Sequence, residues 1–191
     1  TDGLLTVTSG KADAYAMNLT AYESSVEPQR NDVTLHPDGV VGEGGDVVVG
    51  ISPVTDLPNA SELINGIKAD GTLDDMNRRW ETEHDYTMPD IPAPENPEFT
   101  IKVGTTGAAE PYSFYQDNEL VGFDLELMHR FALWCNAELV IEVYDWYGIM
   151  PACTSGKVDY IMSNLFATEE RREAMDFSDP YKEVRTVMVV A

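Results

Sequence analysis

The sequence predicts an α/β fold, a mostly parallel open sheet with helices on both faces. Three observations carry that expectation. Residues 9–21 align without a gap on residues 155–167, with Ser9-Gly10-Lys11 and Ser155-Gly156-Lys157 opening the two copies. Each copy reads as a helix end, a turn, a short buried strand and a polar residue where the strand stops, so one supersecondary unit occurs twice. Val47-Val48-Val49-Gly50-Ile51 is apolar nearly throughout, as expected of a strand buried on both faces. From Phe99 onward, strand patterns alternate with helical ones, the order that gives parallel pairing. Ligands of such sheets bind beyond the carboxyl ends of the strands, so the repeat also marks a place for a site.

The elements follow in chain order. Residues 39–45 are glycine-rich and read as a loop or crossover into the apolar strand. Asn59-Ala60-Ser61-Glu62 has the spacing of a helix start, and Leu63, Ile64 and Ile67 supply its apolar stripe. Asp70-Gly71 breaks that helix. Thr72-Leu73-Asp74-Asp75 opens another as a capping-box variant, with Leu73, Met76 and Trp80 on one face. Pro89, Pro92, Pro94 and Pro97 crowd residues 87–98, which excludes helix and favours extended chain; this is the clearest linker. Residues 100–104 alternate as a strand. Asp124 is expected to cap a helix whose stripe is Met128, Phe131, Ala132 and Cys135. Residues 139–143 form the next strand, and residues 147–154 a helix in which Pro151 is tolerated only in the first turn. Residues 158–162 make a third strand. Thr168 caps a short helix with Glu169 and Glu170 placed for its dipole, and residues 183–191 form the last strand.

Composition narrows the function classes. The chain has 191 residues, 43% hydrophobic and 24% charged, which suits one ordinary domain or two small lobes. Twelve Lys and Arg against 34 Asp and Glu give a net charge of −22, which excludes a nucleic-acid partner or an anionic membrane surface as the main one. No apolar run reaches the roughly 18 residues of a membrane span. No signal peptide precedes Thr1, and the chain opens without an initiator Met, so it reads as an excerpt or a processed product. Cys135 and Cys153 lie in no metal-binding context. They fall on helices that cover opposite faces of the sheet, so both are expected to be free, buried and small. His36, His84 and His129 are scattered outside any nucleophile or metal motif, and Gly42-Glu43-Gly44-Gly45 lacks the flanking strand and helix of a phosphate loop. Neither catalysis, a metal nor a cofactor is expected.

The later half resembles something specific. Glu110-Pro111-Tyr112-Ser113-Phe114, Leu120-Val121-Gly122-Phe123-Asp124, Gly148-Ile149-Met150-Pro151-Ala152, Ser155-Gly156-Lys157-Val158-Asp159, Thr168-Glu169-Glu170-Arg171 and Asp176-Phe177-Ser178-Asp179-Pro180-Tyr181 occur in order. Residues 99–191 thereby resemble the first lobe of the polar amino-acid type of periplasmic solute-binding proteins, family 3, a type II binding-protein lobe. Residues 1–45 are similar to a remnant of the second lobe and crossover. Residues 46–86 look like the return strand and closing helices of a first lobe, and 87–98 is the linker. The order is that of the back end of one module followed by the front end of another. Two arrangements follow: a window of a tandem protein, or a circular permutant in which residues 47–80 dock on the sheet of residues 99–191. Docking is favoured, in cis or between two chains, because an apolar strand does not stay in water and the sheet lacks a member without it.

The resemblance implies a cleft that grips an amino acid by its charged ends. It places the carboxylate-binding arginine at Arg171, ammonium acceptors at Ser163 and Asn164, a carboxylate-binding N–H at Thr168, and a packing aromatic at Trp146. Tyr112, Thr106 and Glu110 are further candidates on the first loop. Phe166 stands where many members carry a ligand-binding Ser or Thr, Ala109 where an aromatic is common, and Asn18 where a second-lobe Asp commonly pairs with the ammonium. These departures widen the implied ligand to an amine or an organic acid. The resemblance implies an extracytoplasmic module, tethered through its parent protein, that delivers a small polar solute to an ABC-type permease. A sensing module of a membrane receptor kinase is the alternative. A cyclohexadienyl dehydratase-like enzyme is a third, with Glu110 as its first-lobe acid.

Overall fold

The computed structural model describes residues 2–19, 22–40 and 45–191, the side chains of residues 2, 18, 24, 25 and 40 excepted. The chain begins with α1 (Asp2–Thr8), β1 (Tyr15–Asn18), a π-helical turn at Tyr22–Val26 and β2 (Thr34–Val40). Next come β3 (Gly45–Val47), β4 (Gly50–Ile51), α2 (Ser61–Ala69), α3 (Thr72–Asn77) and a second π-helical turn at Arg78–Glu83. An extended stretch leads to β5 (Phe99–Thr105), β6 (Ala108–Ala109), β7 (Ser113–Gln116), β8 (Glu119–Val121), α4 (Phe123–Trp134) and β9 (Ala137–Val143). The chain ends through α5 (Trp146–Thr154), β10 (Tyr160–Ile161), α6 (Glu169–Arg172), β11 (Asp176–Phe177), β12 (Lys182–Val184) and β13 (Thr186–Val190). Contacts divide it into two compact units, residues 1–46 with 182–191, and residues 47–181.

The larger unit holds a five-stranded sheet in the order β11-β4-β10-β5-β9. β10, β5 and β9 are parallel, whereas β4 runs antiparallel to both of its neighbours. Four of the five strands therefore share one direction. Side-chain alternation places a helix on each face. Tyr160 is paired with Val103, and its ring meets Phe131 of α4 edge-on at 5.1 Å. Ile161 is paired with Gly104 and packs instead with Ile149, Ala152 and Cys153 of α5. Cys135 and Cys153 are accordingly free thiols. Cys153 is buried as expected, while Cys135, at the end of α4, is only half-buried.

Residues 47–51 join this sheet. Val47, Val48, Val49 and Ile51 are 0–6% exposed, and burying each such side chain is worth about 1.5–3 kcal/mol. They do not form one unbroken strand. Val48 donates to the Leu165 carbonyl and Val49 to Ser178 Oγ, so the backbone between β3 and β4 is satisfied outside the ladder. The helices that follow are anchored by one buried carboxylate. Glu126, fully buried on α4, accepts from Arg79 Nη2 at 2.8 and 2.9 Å, from Trp80 Nε1 at 2.7 Å and from Arg130 Nη2 at 2.7 Å. Two guanidiniums and an indole N–H give that anion the partners it needs away from water.

The smaller unit holds a three-stranded antiparallel sheet in the order β1-β13-β2, with Leu4, Tyr22, Val26, Val33, Val187 and Val189 as its core. The repeat read from the sequence reappears here in atomic detail. In the first copy Gly10 donates to Val7 O, and Lys11 and Ala12 donate to Thr6 O. In the second, Gly156 donates to Cys153 O, and Lys157 and Val158 donate to Ala152 O. Both glycines are left-handed, at φ 69° and 76°, the conformation that ends a helix in this way. The two strands differ, however. Tyr160 and Ile161 are buried, but Tyr15 is 36% exposed, because β1 has a thinner core to face. The repeat's last positions, Thr20 and Ala21, and residues 41–44 of the glycine-rich loop lie outside the described residues.

Four local expectations are corrected. Asp124 does not cap α4; Gly122 holds that position at φ 141°, and the Asp124 carboxylate turns into the core. Thr72 does not cap α3; Gly71 precedes it, and the Asp70 carboxylate accepts the Thr72 N–H at 2.9 Å. Pro151 lies beyond the first turn of α5. The bond it cannot donate would have gone to the carbonyl of Tyr147, a residue with an exposed side chain, so the helix continues. The last strand is two, broken at Arg185.

Burial pushes the Cys153 thiol up to about 12, with Asp159 adding to the effect, and burial also raises Cys135. A raised pKa removes thiolate, the reactive form, at neutral pH. In native protein at pH 8, a disulfide reagent such as DTNB is therefore expected to spare Cys153 and to modify Cys135 slowly, with both thiols reacting once the chain is unfolded. A fast native titre of two thiols would contradict the burial. At Gly122, a Cβ would lie 2.1 Å from the Tyr112 carbonyl oxygen, so Gly122→Ala is expected to lower the urea-unfolding free energy by about 2 kcal/mol or more.

Candidate functional site

The carboxyl ends of β5, β9 and β10 open onto one hollow of about 780 Å³ in the larger unit. Its lining includes Thr106 after β5, Tyr144 and Asp145 after β9, Trp146 at the start of α5, and Ser163, Asn164 and Phe166 after β10. Ala108 and Ala109 leave the side toward β6 open. Each position follows from local chemistry. Asp145 caps α5 by accepting the Gly148 N–H at 2.7 Å, which presents Trp146 at the helix start, 42% exposed. Thr106 is held to β10 by its N–H and hydroxyl, both on Ser163 Oγ at 3.2 and 2.8 Å.

Asn164 is the most constrained member. Its backbone is left-handed at φ 50°, and its N–H donates to Asp124 Oδ2 at 2.7 Å. The other oxygen of that carboxylate accepts the Tyr181 hydroxyl at 2.7 Å. Asp124 and Tyr181 are both buried, and burial and the Asp124 charge hold the Tyr181 phenol well above its usual pKa. The side-chain oxygen of Asn164 is buried and accepts from no donor among the described residues. A buried acceptor without a donor costs free energy unless something else supplies one.

Arg171 is tied to two residues of the lining. Its Nη1 donates to the Phe166 carbonyl at 2.8 Å, and its guanidinium lies over the Trp146 ring, 5.3 Å from the centroid. No further hydrogen bond of its side chain is found among the described residues. Nε and Nη2 form the edge that pairs both oxygens of a carboxylate, as Arg30 demonstrates on Asp32 at 2.9 and 2.6 Å. In Arg171 that edge has no partner among the described residues.

The structure thus brings together Thr106, Trp146, Ser163, Asn164 and Phe166 around the hollow, with Arg171 attached to Trp146 and Phe166. Thr168 is exposed and its Oγ1 accepts the Arg171 N–H at 3.3 Å, capping α6. Two candidates stand elsewhere. Tyr112 packs on Phe123 and donates its hydroxyl to Glu81 at 2.9 Å, with burial first and Glu81 second raising its pKa. Glu110 is exposed and adjoins Tyr86, whose hydroxyl is pushed up to about 12 by burial and then by Glu110. Asn18 ends β1 of the smaller unit, and its side chain lies outside the described residues. Sequence reasoning missed Tyr144, Asp145 and the part played by Asp124. An acid immediately before Trp146 was a readable cap, and an acid inside the apolar Val121–Leu127 run was a readable anomaly. Among the described residues no cluster of His, Cys, Asp or Glu suits a metal ion, and no helix is long and apolar enough to cross a membrane.

With this geometry in hand, comparison with known proteins is specific. The family model for bacterial extracellular solute-binding proteins, family 3, matches residues 101–191. A probable histidine-binding protein of Campylobacter jejuni is 42% identical over 86 residues, 45% of this chain and 34% of that protein. A probable histidine-binding protein of Neisseria gonorrhoeae is 33% identical over 96 residues, 50% of this chain and 36% of that protein. The chain spans about a third of the length of these relatives. Among solved structures, an ancestral arginine-binding protein bound to arginine shares 39% identity over 44% of this chain and 37% of its own, with a TM-score of 0.43.

The Asp124 latch predicts its own test. Asp124→Asn keeps the shape but offers one acceptor where Asn164 N–H and the Tyr181 hydroxyl both donate, so one bond is lost or reversed and the other loses its charge, and an unfolding free-energy loss of about 1.5–3 kcal/mol is expected by urea denaturation. The amide signal of Asn164 is expected to move with it, and an unchanged midpoint and spectrum would refute the latch.

Proposed function

We propose, from the match of residues 101–191 to the family model for bacterial extracellular solute-binding proteins, family 3, that this chain carries the first-lobe half of a site for a small polar solute, an amino acid. The carrying observation is the unused two-donor edge of Arg171, fixed beside a hollow of about 780 Å³. The ligand's carboxylate takes that edge. Its ammonium group takes the Asn164 side-chain oxygen once that buried, donor-less oxygen turns toward the hollow, and its side chain occupies the space left by Ala108 and Ala109. The Ser163 hydroxyl is engaged with Thr106, so it contributes less than Asn164. Binding rather than turnover is the reading, because Glu110 faces Tyr86 and is not part of the hollow's lining.

In the whole protein, an opposing lobe closes over this half-site, and the open–closed shift signals occupancy to an ABC-type permease outside the cytoplasm. The burial of residues 47–51 beside β10 and β11 supports the reading that 46–86 joins the lobe expected over 99–191, of which residues 182–191 fall in the smaller unit instead, with 87–98 as the joint and 1–45 related to a second lobe. The parent is then either a tandem of modules or a permuted one.

Titration of the chain with L-histidine, followed by NMR, is expected to show binding weaker than micromolar, with shifts centred on Arg171, Asn164 and Thr106. Arg171→Lys is expected to weaken it roughly tenfold or more, since an ammonium cannot replace the planar fork. Micromolar or tighter affinity, or shifts that survive Arg171→Lys unchanged, would overturn the half-site as drawn.

A further inference from the structure

Trp146 presents an open aromatic face to the hollow, and a ligand's side chain is the obvious thing to lay on it. The ring is already engaged with the protein's own cation. The Arg171 guanidinium lies 5.3 Å from the ring centroid, within the range at which a cation is held by an aromatic face. Arg171 is half-buried and extends from a four-residue helix, so neither its helix nor a carboxylate partner fixes its orientation. Only two restraints act on the guanidinium among the described residues: the Phe166 carbonyl at Nη1, which sets its edge, and Trp146, which sets its plane. Without the second, the guanidinium is free to turn about the Nη1 bond, carrying Nε and Nη2 with it. Trp146 is itself fixed, because it is the first residue of α5 behind the Asp145 cap and Ile149 one turn on is fully buried.

We infer that Trp146 acts on a ligand through Arg171, as a positioning residue that holds the guanidinium's two-donor edge toward the hollow, and not as the surface on which the ligand's side chain stacks. This rests on the amino-acid reading above. It separates two kinds of ligand contact. Affinity for the carboxylate depends on Trp146, whereas affinity for the rest of the ligand does not. The exposed Tyr147 beside it, 90% accessible, has no part in this arrangement.

The test uses the full 191-residue chain with nitrogen-15 labelling, together with Trp146→Leu and Trp146→Phe. Trp146 is 42% exposed, so neither change opens a core cavity. Two probes are titrated by NMR: L-histidine, and histamine, which keeps the ring and amine but lacks the carboxylate. In the ligand-free protein the Arg171 Nε–H signal is expected upfield of an ordinary arginine, shifted by the indole ring current, and to move back in Trp146→Leu. Trp146→Leu is expected to weaken L-histidine roughly three- to tenfold while leaving histamine unchanged, and Trp146→Phe to restore most of the loss. Equal weakening of both probes would make Trp146 a direct stacking surface and overturn the inference. An Arg171 signal indifferent to Trp146→Leu would also overturn it. If L-histidine shifts Arg171 in the wild type but its affinity is unaffected by Trp146→Leu, the positioning role fails and the amino-acid reading stands. If neither L-histidine nor any other common amino acid shifts Arg171 in the wild type, the amino-acid reading fails and takes the role with it.

Discussion

One buried carboxylate determines where this site can be. Asp124 sits fully inside the larger unit, and its two oxygens are divided between the backbone of Asn164 and the hydroxyl of Tyr181. A carboxyl group in that place is tolerable only because both oxygens are answered. The consequence reaches the surface. Asn164 holds a left-handed backbone, which an asparagine accepts more readily than most residues, and the chain turns there out of β10. That turn sends Phe166 back along the hollow, where its carbonyl meets Arg171. The hydrogen bond from Asn164 N–H to Asp124 is thus two steps removed from the guanidinium whose position it governs.

Much of the architecture was legible in the sequence because periodicity reports burial. Val47–Ile51, the stripe of Met128 and Phe131, and the alternation of residues 100–104 each announced which faces are covered, and the sheet follows from them. The repeated Ser-Gly-Lys turn was legible because a left-handed helix end needs glycine. What stayed hidden has one cause: a polar side chain read along the chain looks like a local device, whereas its partner is chosen in three dimensions. Asp124 at a helix start reads as a cap, yet its partners are 40 and 57 residues away. Tyr112 beside Pro111 reads as a cleft aromatic, yet Glu81 claims its hydroxyl. The candidates that do converge on the hollow, Thr106, Trp146, Ser163, Asn164 and Phe166, were named chiefly from the family resemblance, and they share a place just beyond the carboxyl ends of strands, a feature of topology that survives ignorance of partners.

The two helix ends of the repeat match to the level of single hydrogen bonds, down to Ser9 and Ser155, whose hydroxyls donate to Thr6 and Ala152 at 3.2 and 3.3 Å. The strands that follow do not match, since one is deep in a five-stranded sheet and the other borders a three-stranded one. A helix stop is encoded within a handful of residues. The burial of the next strand depends on what surrounds it, and the two units surround it differently.

The placing of Val49 also sets an order of events during synthesis. Its N–H is satisfied by Ser178, 129 residues further along the chain. Until the ribosome has released that distant serine, three consecutive valines have no finished sheet to enter. Pairings of such long range close slowly and leave apolar surface open meanwhile. A nascent chain of this design gains from a chaperone that covers the valines, or from translation brisk enough to shorten the wait.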